Sequence, residues 1–227
     1  MSHANAAAIA FGPIPSRRLG QSLGINNIPP KHCTYSCVYC QVGPTEGTEL
    51  ARREFYDTAE VVGAVTRKVA ELRAAGERID HLSFVPDGEP TLDVNLGAEI
   101  RALEPLGIPI AVITSGALLW MPDVRADLAA ADLVSVKVDA TVESVWRRVD
   151  RPNGRIDFAT MQEGVLQFAR EYKGELLTDT MLVAGMNDDE ASLEGVASFL
   201  EKVAPRRAYL AIPTRPPADA RVHPPDD

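Results

Sequence analysis

From residue 22 onward, short apolar runs alternate with longer stretches whose apolar residues recur at helical spacing. A short run of this kind fits a strand covered on both faces, and a stretch of the second kind fits an amphipathic helix. Strands are predicted over residues 22–28, 79–86, 108–115, 133–139, 176–184 and 208–213. Helices are predicted between them over 58–75, 94–106, 123–130, 157–172 and from Asp188 and Asp189 to Val203, with an arginine-bearing helix just before residue 157. In the first helix Val61, Val62, Val65, Val69 and Leu72 form the apolar stripe and Gly76 is the stop signal. Gly107 ends the second helix in the C′ role, and Lys173-Gly174 end the helix over 157–172.

Regular alternation of strand and helix implies parallel strands joined by helical crossovers. Six strands with five crossovers make an α/β fold, three quarters of a (β/α)8 barrel, that is a partial (β/α)6 TIM-type barrel. The whole chain, 1–227, reads as one domain, with residues 1–20 as an N-terminal extension. Residues 214–227, T-R-P-P-A-D-A-R-V-H-P-P-D-D, read as an irregular proline-rich tail in which a sixth crossover is missing or poorly ordered.

Composition narrows the function classes. The chain is 45% hydrophobic and 24% charged, ordinary for a soluble domain. Its Ala-rich start lacks a basic region and the apolar length of a signal or membrane span, so the expected location is cytoplasmic with no membrane partner. A net charge of -9 disfavours a broad phosphate-neutralising surface, and with it a nucleic-acid partner. Local arginine clusters stand against that balance at Arg17 and Arg18, and at Arg147, Arg148, Arg151 and Arg155. Such clusters are either a solvated face or a place for an anionic substrate or partner.

The densest chemistry lies after the first strand. Cys33, Cys37 and Cys40 are the only cysteines, spaced C-x3-C-x2-C within K-H-C-T-Y-S-C-V-Y-C-Q. Structural zinc would need a fourth ligand such as His32 or His81. A dithiol site would use only Cys37 and Cys40 and leave Cys33 without a role, and disulfides are awkward at this spacing. A cubane iron–sulfur cluster takes four ligands, so three thiolates would leave one iron open.

In such barrels functional groups gather at the C-terminal ends of the strands. The second strand empties into Asp87-Gly88-Glu89-Pro90-Thr91-Leu92 and the third into Thr114-Ser115-Gly116. The fourth, V-S-V-K-V-D, alternates so that Ser135, Lys137 and Asp139 share one face, which a strand buried on both sides should not show unless that face meets a polar cavity. Lys137 and Asp139 either pair with each other or serve a ligand. Asp179, Met181 and Arg215 are further residues that could line the pocket or its rim.

The three-cysteine loop resembles that of the radical S-adenosylmethionine (SAM) superfamily, whose cores are partial barrels of this kind. The resemblance implies a 4Fe-4S cluster on Cys33, Cys37 and Cys40, with SAM filling the open iron through its amino and carboxylate groups. It places Tyr39 beside the adenine, Gly88 and Glu89 at the methionine amino group, and Ser115 near the ribose or carboxylate. It gives Lys137 the SAM carboxylate and Asp139 the ribose hydroxyls. Asp87 stands where the superfamily's Gly-Gly-Glu motif has its first glycine.

G-P-I-P-S-R-R-L-G-Q-S-L-G-I-N, C-V-Y-C-Q-V-G-P-T, D-G-E-P-T-L, R-P-N-G and T-R-P-P together look like the Fe-S oxidoreductase subgroup related to wyosine-base synthases of transfer RNA. Those enzymes carry a second cluster on extra cysteines, which this chain lacks, so the resemblance does not bring the RNA substrate with it. What it implies is an external one-electron reductant of flavodoxin or ferredoxin type. A 5′-deoxyadenosyl radical would then take hydrogen from a nucleoside, a small metabolite, or a glycine of a partner enzyme awaiting activation. The competing expectation is a non-enzymatic metal or electron-carrier module built on the same cysteines.

Overall fold

The computed structural model describes residues 9–45 and 47–226. The Ala-rich start therefore lies largely outside the described residues. Seven strands form one sheet in sequence order: β1 (Ala10–Ser16), β2 (Gly20–Ile25), β3 (His81–Phe84), β4 (Ile110–Thr114), β5 (Leu133–Lys137), β6 (Glu175–Met181) and β7 (Arg207–Ala211). β1 and β2 are antiparallel and every later pair is parallel. The sheet curls into a half-barrel, the partial TIM-type barrel expected.

All six predicted strands are present as β2 to β7. The hydrophobic pattern leaves residues 1–20 outside the sheet, yet Ala10–Ser16 joins it as β1. Two prolines hide this strand from pattern reading, and they are tolerated because β1 is an edge strand whose pairing slips between Phe11 and Ile14. Gly24 of β2 makes room for it, since a Cβ there would collide with the Phe11 ring.

The helices are α1 (Thr58–Ala74), α2 (Leu96–Leu103), α3 (Pro122–Leu128), α4 (Glu143–Val149), α5 (Phe158–Glu171) and α6 (Glu190–Val203). Asp57 caps α1 by accepting from Ala59 N at 2.7 Å, and Asp189 caps α6 by accepting from Ser192 N at 3.0 Å. α1 buries Val61, Ala64, Val65, Val69 and Leu72; Val62 is only partly buried. Gly107 follows a short 3-10 turn with φ 67°, the left-handed stop that glycine permits. Along β5, Val134 and Val136 join the large core, whereas Leu133 packs inward with Leu19, Ala111 and Leu177.

Among the described residues no helix is long and apolar enough to cross a membrane. Residues 214–226 form no helix or strand. They are nonetheless attached: Val222 is 7% exposed and packs with Val38, Tyr39, Val149 and Val183.

Candidate functional site

β2 delivers the chain into the cysteine loop, and three other segments hold that loop by its backbone. The turn after β3 is the first: Lys31 N donates to Asp87 O at 2.8 Å and Glu89 N to His32 O at 2.9 Å. A Cβ on Gly88 would run into the His32 carbonyl, so the close approach of these segments requires glycine there. The segment after α4 is the second. Val38 N donates to Val149 O at 2.9 Å, Ser36 N to Arg151 O at 3.1 Å, and Asn153 N to Thr34 O at 3.0 Å.

The tail is the third segment, through Asp219 N to Val38 O at 2.9 Å and Arg215 Nη1 to Gln41 Oε1 at 2.9 Å. The R-P-N-G and T-R-P-P motifs thus have a physical role as clamps on the cysteine loop.

Glu89 is 2% exposed. One oxygen accepts from Thr91 N (3.1 Å), Thr91 Oγ1 (2.7 Å) and Thr114 Oγ1 (2.6 Å), the other from Ser115 N (2.8 Å). Its side chain ties the β3 turn to the end of β4. Ser115 Oγ lies 3.1 Å from Thr34 Oγ1, which joins the end of β4 to the cysteine loop as well.

Lys137 and Asp139 stand at the end of β5. Asp139 is buried; one oxygen accepts from Met181 N at 2.7 Å and the other from the Tyr39 hydroxyl. Tyr39 OH also lies 3.1 Å from Asp150 Oδ1. Lys137 Nζ is 3.9 Å from Asp139, 4.0 Å from Asp179 and 4.9 Å from the centre of the Tyr39 ring. These are ion-pair and cation–π distances beyond hydrogen-bond reach, so its three N–H donors point to no acceptor among the described residues. Burial works against the ammonium charge, but Asp139 and Asp179 outweigh it and hold the lysine pKa above its usual value.

The thiols sit in an electronegative setting. Burial first, and then Glu89, pushes Cys33 up to about 12. Burial followed by Asp150 raises Cys37 well above the usual thiol range, and Cys37 Sγ lies 3.5 Å from Asp150 Oδ1. Thiolates here need a positive partner, which fits an iron cluster. Among the described residues no three His, Cys, Asp or Glu side chains converge as they would on a single ion. A cubane meets each cysteine at a different iron and so spreads its ligands. Tyr35, Ser115, Lys137, Asp139, Trp146 and Asp150 line a cavity beside the loop.

Tyr39 and the three cysteines thus fall on the loop, Gly88, Glu89, Ser115, Lys137 and Asp139 at the ends of β3, β4 and β5, Asp179 and Met181 on β6, and Arg215 on the tail. The fold also brings in Asp150, which sequence reasoning passed over, and gives Arg18, read there only as part of an arginine cluster, a definite partner. Asp150 is buried against Cys37 and Tyr39, and its carboxyl is held well above the usual range by burial and by Asp139. Arg18, from the β1–β2 turn, reaches across the open flank of the half-barrel to Asp179 on β6 at 2.6 Å and lies over the Tyr209 ring of β7. Only the polar residue Asp179 in an apolar strand signalled that contact.

Comparison with known proteins agrees with this geometry. The model of the radical SAM superfamily matches residues 27–194. A UPF0026 protein of Methanocaldococcus jannaschii is 47% identical over 217 residues, covering 96% of this chain and 67% of that protein. A protein of Brachyspira hyodysenteriae named GTPase Obg is 36% identical over 206 residues, 90% of this chain but 30% of its own length. The solved structure of TYW1 with a lysine-pyruvate adduct shares the fold, with a TM-score of 0.65, 16% identity, and coverage of 84% of this chain and 64% of that one.

The electron-carrier reading gives way to an enzyme. The open-ended cysteine loop, clamped beside an unspent ammonium at the rim of a half-barrel, belongs to a member of the radical SAM superfamily, which uses a 4Fe-4S cluster and S-adenosylmethionine.

Proposed function

We propose that Cys33, Cys37 and Cys40 hold the cluster and that Lys137, with the backbone of Gly88 and Glu89, receives SAM beside it. The observation that carries this reading is Lys137. Its ammonium is held in place by two carboxylates and spends no hydrogen bond on either, which leaves its donors for a ligand carboxylate. When bound, cluster and SAM supply reductive cleavage to a 5′-deoxyadenosyl radical that abstracts hydrogen from a substrate.

The chain's own residues then divide the work. The β3 turn and the segment after α4 fix the loop that carries the thiolates. Asp139 and Asp179 keep Lys137 charged, and Tyr39 is fixed by Asp139 and Asp150 so that its ring screens the ammonium from water. Ser115 sets the β4 end against the loop. An external one-electron reductant of flavodoxin or ferredoxin type completes the system, and the acidic balance supports a substrate other than RNA, in the cytoplasm.

Anaerobic reconstitution with iron and sulfide tests the reading. Absorption and electron paramagnetic resonance of a four-iron cluster should change when SAM is added, and dithionite should then yield 5′-deoxyadenosine. Replacing Cys33, Cys37 or Cys40 by Ala should abolish the cluster signal. A cluster whose spectrum ignores SAM, or one that survives loss of a cysteine, would contradict the assignment.

A further inference from the structure

The chain carries a net charge of -9, yet the outer side of the cysteine loop is ringed by arginines. Arg148 and Arg151 come from α4 and the segment after it, and Arg215 and Arg221 from the tail; all four are exposed. Arg151 and Arg221 share one carboxylate, Asp219, at 2.7 and 2.8 Å, and the backbone N–H of Asp219 donates to Val38 between Cys37 and Cys40. Arg215 holds Gln41, next to Cys40, and Arg148 donates to Met186 O, whose side chain packs on the same small cluster as Val38 and Tyr39. Arg151 and Arg221 share the single carboxylate of Asp219 while Arg215 and Arg148 bond neutral oxygens, which leaves a local excess of positive charge, and Arg221 is 80% exposed on its side chain.

The inner side of the loop faces the cavity lined by Lys137 and Ser115, where the ligand groups converge. A donor of electrons has to come from the other side, close to the thiolates, and the tail and its arginines make up that side. Charge of one sign on a surface of the other sign steers an oppositely charged partner and orients it on arrival. All four arginines attach to residues 38–41 or to segments packed on them, which fits a partner docking over the loop better than an extended nucleic-acid backbone.

The geometry points to Arg148, Arg151, Arg215 and Arg221 as the docking face for a small acidic electron-transfer protein. The inference rests on the cluster reading above and goes beyond it by naming the surface and the partner's chemistry. It also gives the tail a function, since seating Arg215 and Arg221 over residues 38–41 brings the partner to the loop.

The test uses the anaerobically reconstituted protein and a bacterial flavodoxin. Binding of oxidised flavodoxin, read by biolayer interferometry at low salt, should weaken about tenfold or more in the double variant Arg215→Glu, Arg221→Glu. It should also weaken for the unchanged protein in about 0.5 M salt, and Arg215→Lys with Arg221→Lys should stay near the original. Bleaching of the cluster by reduced flavodoxin should slow in step, while dithionite bleaches all forms at one rate. Equal flavodoxin affinity in the charge-reversed variant overturns the docking face, as does a parallel loss with dithionite. Loss of transfer-RNA retention on a filter with flavodoxin binding intact would assign the patch to RNA instead. A protein that takes up no cluster at all overturns the cofactor reading as well, which separates the two failures.

Discussion

Two buried acidic groups in this molecule meet opposite fates. At the rim, Asp139 and Asp179 face Lys137, with Arg18 on Asp179 and Tyr39 on Asp139. Under the 3-10 turn after β3, Asp93 and Glu99 lie at 0% exposure with far less support. Asp93 accepts from Asn95 N at 2.9 Å and weakly from Asn27, and burial pushes it up to about 6. Neither oxygen of Glu99 has a hydrogen-bond partner among the described residues, and burial, with Asp93 beside it, raises it to about 9. A buried carboxylate stays charged only where the fold brings it cations and donors. Around Lys137 the fold supplies Asp139 and Asp179 with a cation; on α2 it leaves Glu99 without a donor among the described residues, and burial holds its carboxyl far above the usual range.

Removing the cation should break this contrast most strongly. Lys137→Met leaves Asp139 and Asp179 facing each other across an apolar chain, and unfolding by urea should show a loss of about 3 kcal/mol. SAM retention in equilibrium dialysis should fall by at least tenfold. Lys137→Arg, which keeps the charge, should recover most of the stability; if Lys137→Met binds SAM normally, the carboxylate role of the lysine is wrong.

Glu99 gives the next largest effect, of opposite sign. Its folded pKa is raised, so the native state binds a proton that the unfolded chain has already released. The stability this provides is complete below about pH 4.5 and is lost progressively as pH rises to about 9. Glu99→Gln removes that slope, and it should be more stable than the unchanged protein by about 2 kcal/mol or more at pH 8 and nearly equal to it at pH 4.5. Urea midpoints across that range check it, and a variant destabilised equally at both pH values would show that Glu99 has a partner after all.

The smallest effect belongs to Arg18→Gln. The guanidinium is part exposed, and Lys137 continues to face Asp179, so the loss should be about 1 kcal/mol. It should be read together with hydrogen exchange, where the β1–β2 turn and β7 should open more readily, because this pair spans the flank that the sheet leaves unclosed. Unchanged exchange in both would show that the pair does not brace the half-barrel.

Much of this site is legible without coordinates. The spacing of Cys33, Cys37 and Cys40 and the unexpected polarity of Lys137 and Asp139 in and just after an apolar strand are local signals, and the fold brings these residues to one rim. The polar row on β5 is readable because the period of two in a strand assigns each side chain a face. Less legible is what those groups do once there. Both oxygens of Glu89 and both of Asp139 accept from protein donors, which no sequence pattern reveals. The R-P-N-G motif reads as a family mark until Arg151 and Asn153 are seen pairing with residues 34–36.

Periodicity and capping are set within a few residues of chain, and they are enough to specify the parallel strands, the helices between them and the residues able to carry the chemistry. The remaining features arise only when distant segments meet in the fold. Arg18 meets Asp179 across 161 positions, Asp150 reaches Cys37 across 113, and the tail returns from Asp219 to Val38. Contacts between residues so far apart leave no periodic trace, since what joins them is the curl of the sheet and the need of each buried charge for a partner. That same need explains why Glu99, which the fold leaves without a donor among the described residues, has its pKa raised so far by burial.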